Sequence, residues 1–309
     1  MSKIIETPIL LIGFNRPDTT KIVFESIRKV KPKRLYVAID GPRLNKQGEA
    51  DLCKQVLEIT KKVDWDCDAK YLIRDENLGC KLGVSGAITW AFENEEKLII
   101  IEDDIVAVPA FFSFAEELLE KFKNDEKIAM ISANQYTPIT MDNDYLFTKY
   151  GHIWGWGTWK RVWDKFDISM PFLQKLNQME QNSLTILSKK EEEYFKNYFS
   201  HWQNLMDSGA ENAWDPQFAM HRFLNNLLSI APKVNLASNI GTNSSRTDKK
   251  SQRNENYYPA EPDFILTNHP MIIECDTVYD NHHLEKHLNR KSSPIKRVFR
   301  KVKTILKLK

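Results

Sequence analysis

The chain has 309 residues, 42% of them hydrophobic and 28% charged, with 11 Gly and 13 Pro. These proportions exclude wholesale disorder and collagen-like or low-complexity classes, and the length allows one large α/β domain or two smaller ones. The net charge of +2 hides an asymmetry: ten of the 44 Lys and Arg lie between Lys286 and Lys309 with no acid among them, leaving −8 on the first 285 residues. A mildly acidic body with a basic tail is not the footprint of a protein that reads nucleic acid over its main face.

Pro8–Phe14 is a continuous apolar run, as expected of a strand buried on both faces. Asp18 is placed to cap a helix over Thr19–Val30, with Ile22, Val23, Ile27 and Val30 on one stripe. Arg34–Ile39 reads as a second strand ending in the turn Asp40-Gly41-Pro42, and a polar helix follows over Gln47–Lys62. Ala69–Ile73 is the third strand, Val84–Asn94 a helix and Lys97–Ile101 the fourth strand. Pro109 opens a helix to Asn124, and Ile128–Ser132 is the fifth strand. This alternation predicts an α/β fold with a mostly parallel sheet and helices on both faces. Ligands of such sheets bind outside the carboxyl ends of the strands.

Beyond residue 135 the pattern changes. Tyr145–Thr148 and Leu227–Ile230 read as strands, Lys189–Asp207 and Pro216–Asn225 as helices, and Gly151–Asp164 is rich in Trp and Gly. The polar run Asn239–Pro262 predicts a long loop.

Cys53, Cys67, Cys80 and Cys275 lack CxxC spacing, which excludes a zinc ribbon or thioredoxin-like motif and suits a reducing compartment. No signal-peptide core follows Met1, and no apolar run approaches the ~18–20 residues that span a bilayer, so a cytoplasmic location is expected. The sequon Asn243-Ser244-Ser245 would need a secretory route. P-loop and nucleophile-elbow patterns are absent, and Gly155-Trp156-Gly157 is not a dinucleotide fingerprint. His282, His283 and His287 lack a third partner with clear metal spacing and read as surface histidines.

Glu102-Asp103-Asp104 directly follows the fourth strand. Three acids there repel one another unless a cation balances them, and a hard divalent ion takes one or two carboxylates plus phosphate oxygens and water. The bland alternative is a solvated acidic turn; the strand-end position favours the cation. Arg16, after strand one, is placed to reach a base or phosphate, and Asp40, after strand two, to accept from a nucleobase N–H. Lys81, in the Gly-rich turn Asn77–Gly83, suits a diphosphate, or else is a solvated Lys on a plain turn.

The ordered set Phe14-Asn15-Arg16-Pro17, Asp40-Gly41, Ile101–Ile105 with Val108-Pro109-Ala110-Phe111-Phe112, Gly151–Trp156 and Ala213-Trp214-Asp215 resembles the GT-A glycosyltransferases. The nearest type is the N-acetylglucosaminyltransferase I group and its bacterial surface-polysaccharide relatives. The resemblance covers residues 6–235. It implies a nucleotide-sugar donor, usually uridine-based, Mn²⁺ or Mg²⁺, and inverting transfer to a glycan or lipid-linked acceptor. It also implies that Asp104 holds the metal, that Glu102 and Asp103 face sugar and ribose, that Asp40 and Arg16 sit at the base, and that Asp215 is the general base. Asp215 before Pro216 is also a good helix N-cap in its own right. The resemblance divides the chain into a donor-binding half, residues 1–135, an acceptor half of the same domain, 136–285, and a tail, 286–309. Bacterial relatives often carry Asn-Ile-Gly-Phe-Gly and a following His; here Asn239-Ile240-Gly241 continues without one, leaving Arg246 as a weak substitute. Trp154, Trp156 and Trp214 line a sugar or acceptor site, or form a second-layer core together with Trp159.

Two other classes fit parts of this pattern. A sugar-nucleotide pyrophosphorylase shares the sheet and metal but usually has a Gly-rich, basic first loop. A non-catalytic glycan-binding protein could keep the fold. The tail from Ser292 places Ile295, Val298, Phe299, Val302, Ile305 and Leu306 on one stripe among basic residues. Such a helix binds an anionic membrane surface or docks on the body; nucleic acid is not expected, since no aromatic stacking surface accompanies the charge.

Overall fold

Every residue of strand β1 (Ile9–Gly13) is buried in the computed structural model, which describes residues 4–135, 137, 139–171, 189–241 and 259–289. β1 lies between two parallel neighbours, β2 (Arg34–Ile39) and β4 (Lys97–Glu102), and β3 (Asp68–Ile73) pairs in parallel with β2. The crossovers are helices α1 (Pro17–Arg28), α2 (Glu49–Thr60) and α3 (Gly79–Phe92). Strands this apolar are stable only with both sheet faces covered.

The sheet continues through residues on both sides of position 135. After the short β5 (Ile105–Ala107) and helix α4 (Pro109–Lys121) come β6 (Ile128–Ser132), β7 (Tyr145–Thr148) and β8 (Trp156–Trp159). α5 (Lys160–Trp163), α6 (Lys189–Asp207), α7 (Asp215–Leu224), β9 (Leu228–Pro232), β10 (Ala237–Asn239) and α8 (Thr277–Asn289) complete the described elements. Sheet order is β3-β2-β1-β4-β8-β6-β9-β7. β8 runs antiparallel between β4 and β6, and β7 antiparallel to β9, so six of the eight strands share one direction. This is the expected α/β class, a mostly parallel Rossmann-like sheet. β10 and β5 form a separate antiparallel ribbon.

The bounds expected for β2, β6, β7 and α6 match the structure. α1 turns differently from the expected stripe: Thr20, Val23, Phe24 and Ile27 face inward, and Ile22 is 52% exposed. α3 begins at Gly79, five residues early, because Asp40 accepts the Leu78 and Gly79 N–H groups at 3.1 Å each. A cap supplied by a residue 38 positions away leaves no local signal. His283 is corrected from surface to interior: it is 4% exposed and stacks on Tyr150, ring centroids 4.3 Å apart. His282 is exposed. Arg246, the Asn243 sequon, the His287 side chain and the expected tail helix lie outside the described residues. No helix among the described residues is long and apolar enough to cross a membrane.

Candidate active site

From β1 the chain moves to β2 and β3 on one side, then returns to place β4 on the other. The carboxyl ends of β1 and β4 therefore open onto a topological switch point, where such sheets bind ligands. The loop after β1 brings Arg16 there, the last residue of β4 is Glu102, and the turn after it brings Asp103 and Asp104.

Arg16 forks across two carboxylates. Its Nη1 donates to Asp104 Oδ2 at 2.7 Å, and its Nη2 donates to Asp103 Oδ1. The Phe14 N–H donates to Asp103 Oδ2 at 3.1 Å. Asp103 is 2% exposed, so its charge is enclosed by its partners. Burial works against the Arg16 charge, but Asp103 and Asp104 outweigh it and hold the guanidinium firmly protonated. In this arrangement the Arg16 guanidinium donates to two acids.

Burial is the first cause that lifts Glu102, followed by Asp104 and Asp103; Asp215 adds to it and Arg16 opposes, and the carboxyl is pushed up to about 8. Burial also raises Asp103, against Arg16. The influence of Asp215 on Glu102 brings α7 into the same electrostatic neighbourhood. Trp214 holds the N-cap position of α7, with Asp215 one residue inside, so the structure does not use Asp215 as the N-cap residue. A carboxylate in this first turn is favoured by the helix dipole.

Other expected residues are placed differently. Asp40 spends its oxygens on the α3 N-terminus and on Asn77 Nδ2, at 2.9 Å, with Arg74 Nη1 4.0 Å away. Burial raises its pKa against those contacts. Lys81 Nζ pairs with Glu211 Oε2 at 2.7 Å, and Gln217 Nε2 donates to Glu211 Oε1 at 2.6 Å. That chain joins the first turn of α3 to the first turn of α7. Trp156 and Trp214 are each 1% exposed and stack at 5.6 Å, so both belong to the core and neither lines an open site. Trp159 is buried as well, and Trp154 keeps part of its surface.

Sequence reasoning missed two supports. Glu49, 4% exposed, accepts from Asn15 Nδ2 at 2.8 Å and the Arg43 N–H at 2.7 Å, tying the loops after β1 and β2 together. Burial opposes its charge, yet Arg43 and Asn15 hold the carboxyl below its ordinary range. The β5–β10 ribbon then carries Ile240 to Asp104, where the Ile240 N–H donates to the Asp104 carbonyl at 2.8 Å. Glu49 sat in a stretch that reads as a plain polar helix. Asn239-Ile240-Gly241 was legible as a motif, but nothing local placed it beside the acids.

Among the described residues, no three His, Cys, Asp or Glu side chains converge as a metal cage. The donor set is nevertheless hard oxygen, and Arg16 balances one of three clustered acids. That fits an ion held by one or two carboxylates whose other ligands come from phosphate and water. A separate hollow of about 660 Å³, lined by Glu6, Arg34, Lys97 and Glu120 among others, lies at the opposite ends of these strands, away from the acids.

No protein-family model matches the chain, and no curated protein matches it. Among solved structures, it is similar to a UDP-glucose pyrophosphorylase in complex with UDP-glucose at 9% identity, over 52% of this chain and 78% of that one, with a TM-score of 0.32. It is also similar to HddC from Yersinia pseudotuberculosis at 14% identity, over 55% of this chain and 86% of that one, again at 0.32. Likeness at this level carries no functional argument, which rests instead on the site.

Proposed function

We propose that this chain is a metal-dependent, inverting glycosyltransferase that moves a sugar from a nucleotide-diphosphate donor, of the UDP-sugar kind, to a hydroxyl of a glycan or lipid-linked acceptor. The observation that supports it most is the meeting of Glu102, Asp103, Asp104 and Arg16 at the switch point, with Asp215 close enough to perturb Glu102. Asp104, with 14% of its side chain exposed, is the carboxylate offered to Mn²⁺ or Mg²⁺. Such an ion supplies stabilisation of the charge that grows on the leaving diphosphate. Asp215 takes the proton of the acceptor hydroxyl. Glu102 faces the sugar, and Asp103, enclosed by Arg16 and the Phe14 N–H, reaches the ribose only as Arg16 shifts. Lys81 approaches the diphosphate if Glu211 releases it. Partly exposed Trp154 contributes an apolar face to the acceptor side.

The pyrophosphorylase alternative needs a basic loop for a triphosphate after β1. Here the loop after β1, Gly13-Phe14-Asn15-Arg16-Pro17, holds one glycine and one basic residue, little of a Gly-rich basic run. Membrane attachment through the basic tail would bring this site to a lipid-linked acceptor. The deciding experiment is a thermal-shift screen of nucleotide-sugars with Mn²⁺, followed by donor hydrolysis with the best ligand. A ligand that binds only the folded state raises its melting temperature. A donor that stabilises the protein and is hydrolysed only with Mn²⁺ supports transfer. Nucleotide-sugar formation from sugar-1-phosphate and nucleoside triphosphate would establish the alternative, and binding without turnover would indicate a non-catalytic protein.

A further inference from the structure

The acidic turn after β4 already holds a cation of its own. Glu102, Asp103 and Asp104 come from consecutive positions, and Asp215 acts on them from α7. The basic group that reaches both Asp103 and Asp104 is the Arg16 guanidinium. Its backbone is fixed, because the Arg16 carbonyl accepts the Thr20 N–H at 3.0 Å and the Thr20 hydroxyl at 2.7 Å at the start of α1. Its Nε is buried and has no hydrogen-bond partner.

The two acids differ in access. The Asp103 side chain is 3% exposed, and its second oxygen takes the Phe14 N–H. The Asp104 side chain is 14% exposed, and Arg16 holds its Oδ2. An incoming hard cation therefore finds the more exposed of these two carboxylates already donated to by a guanidinium. Two cations on one carboxylate repel, so the closer the ion comes, the more Arg16 is driven off.

We propose that Arg16 is a resident counter-cation which a divalent ion must displace from Asp104, and that this competition couples metal binding to binding of the donor diphosphate. It rests on the reading of the site as a nucleotide-sugar site. Without a diphosphate, the metal gains Asp104 but sets Arg16 free beside it, so its affinity is low. A diphosphate brings the negative charge that both cations need. The guanidinium, with an unused Nε–H and a planar fork suited to phosphate, moves its Nη1 from Asp104 to a phosphate oxygen. The coupling is reciprocal: UDP tightens metal binding by the factor by which metal tightens UDP binding.

The test is titration of Mn²⁺ into the full chain, followed by the EPR signal of free Mn²⁺, with and without UDP. The proteins are the wild type, Arg16→Met and Arg16→Lys, each checked by circular dichroism. Without UDP, Arg16→Met should bind Mn²⁺ about 10-fold more tightly than the wild type, within the usual range of coupling between sites. The tightening produced by UDP should shrink by a comparable factor. Equal or weaker Mn²⁺ binding by Arg16→Met, while the wild type binds Mn²⁺ with UDP normally, overturns this inference and leaves the proposed function standing. A wild type that binds neither Mn²⁺ nor UDP overturns both. If Arg16→Met does not fold, Arg16→Lys decides. An ammonium lacks the planar fork that spans Asp103 and Asp104 and holds them less firmly, so Mn²⁺ binding without UDP should still tighten several-fold, and no change defeats the idea.

Discussion

Gly241 packs directly on the Asp104 carboxylate: a Cβ at Gly241 would overlap Asp104 Oδ2 and approach its Cγ to 3.1 Å. The Gly241 N–H donates to Asn239 Oδ1 at 2.9 Å, and Ile240 is anchored to the Asp104 carbonyl. Neither backbone can yield easily, so an added methyl must turn the carboxylate. Gly241→Ala should lower Mn²⁺-dependent turnover by about 10²-fold, the usual effect of a displacement near 1 Å, with little change in melting temperature. Wild-type kinetics in this variant would show that Asp104 does not need its present orientation.

Asp104→Ala and Asp215→Asn should fail in different ways. The first removes the accessible carboxylate and should abolish most transfer while leaving the fold intact, since it relieves crowding among acids. The second should lower kcat by about 10²–10⁴-fold with donor affinity unchanged. Steady-state kinetics with donor titration separates the two; near-normal turnover in either variant removes that residue from its role.

Trp156 and Trp154 sit two residues apart with opposite expectations. Trp156 is 1% exposed and stacked on Trp214, so Trp156→Ala should cost about 3–5 kcal/mol in urea unfolding. Trp154 is only partly buried against the same core, so Trp154→Ala should cost clearly less and should raise the KM for acceptor. Reversed results would return the sugar site to Trp156.

His221 should make the stability pH-dependent. Burial, then Arg222 and Lys165, lowers its pKa from 6.5 to about 4. Between those values the unfolded chain binds a proton that the folded chain does not, so stability falls as the pH drops through this window. His221→Phe keeps a ring near Phe218 and should flatten the urea midpoint across that window. Parallel pH curves for the two proteins would rule His221 out as the source.

The parallel half of the sheet was legible because β1, β2 and β4 are apolar on every side, and continuous burial leaves its mark on composition. The acidic turn was legible because three acids after such a strand have few structural uses. The partners of those acids were not. Arg16 meets Asp103 across 87 residues, and Asp40 caps α3 across 38, so neither contact leaves a local pattern. β8 and the β5–β10 ribbon are three or four residues long, too short for periodicity to reveal, and are held by neighbours distant in sequence. His283 read as surface because a histidine beside charged residues resembles a solvated one, until Tyr150 covers it.

The interleaved strand order bears on how the protein is made. β4 and β6 are joined only through β8, which pairs with both, and β5 gains its strand partner only with β10, more than 100 residues later. Strands β1 to β4 can assemble on the ribosome while the rest is being synthesised, but their acidic rim stays open on the side of Asp104. Only when residues 237–241 emerge does that rim gain the wall that Ile240 and Gly241 form against Asp104. A partly made chain therefore carries the acids without the geometry, and translation must pass residue 241 before the site exists.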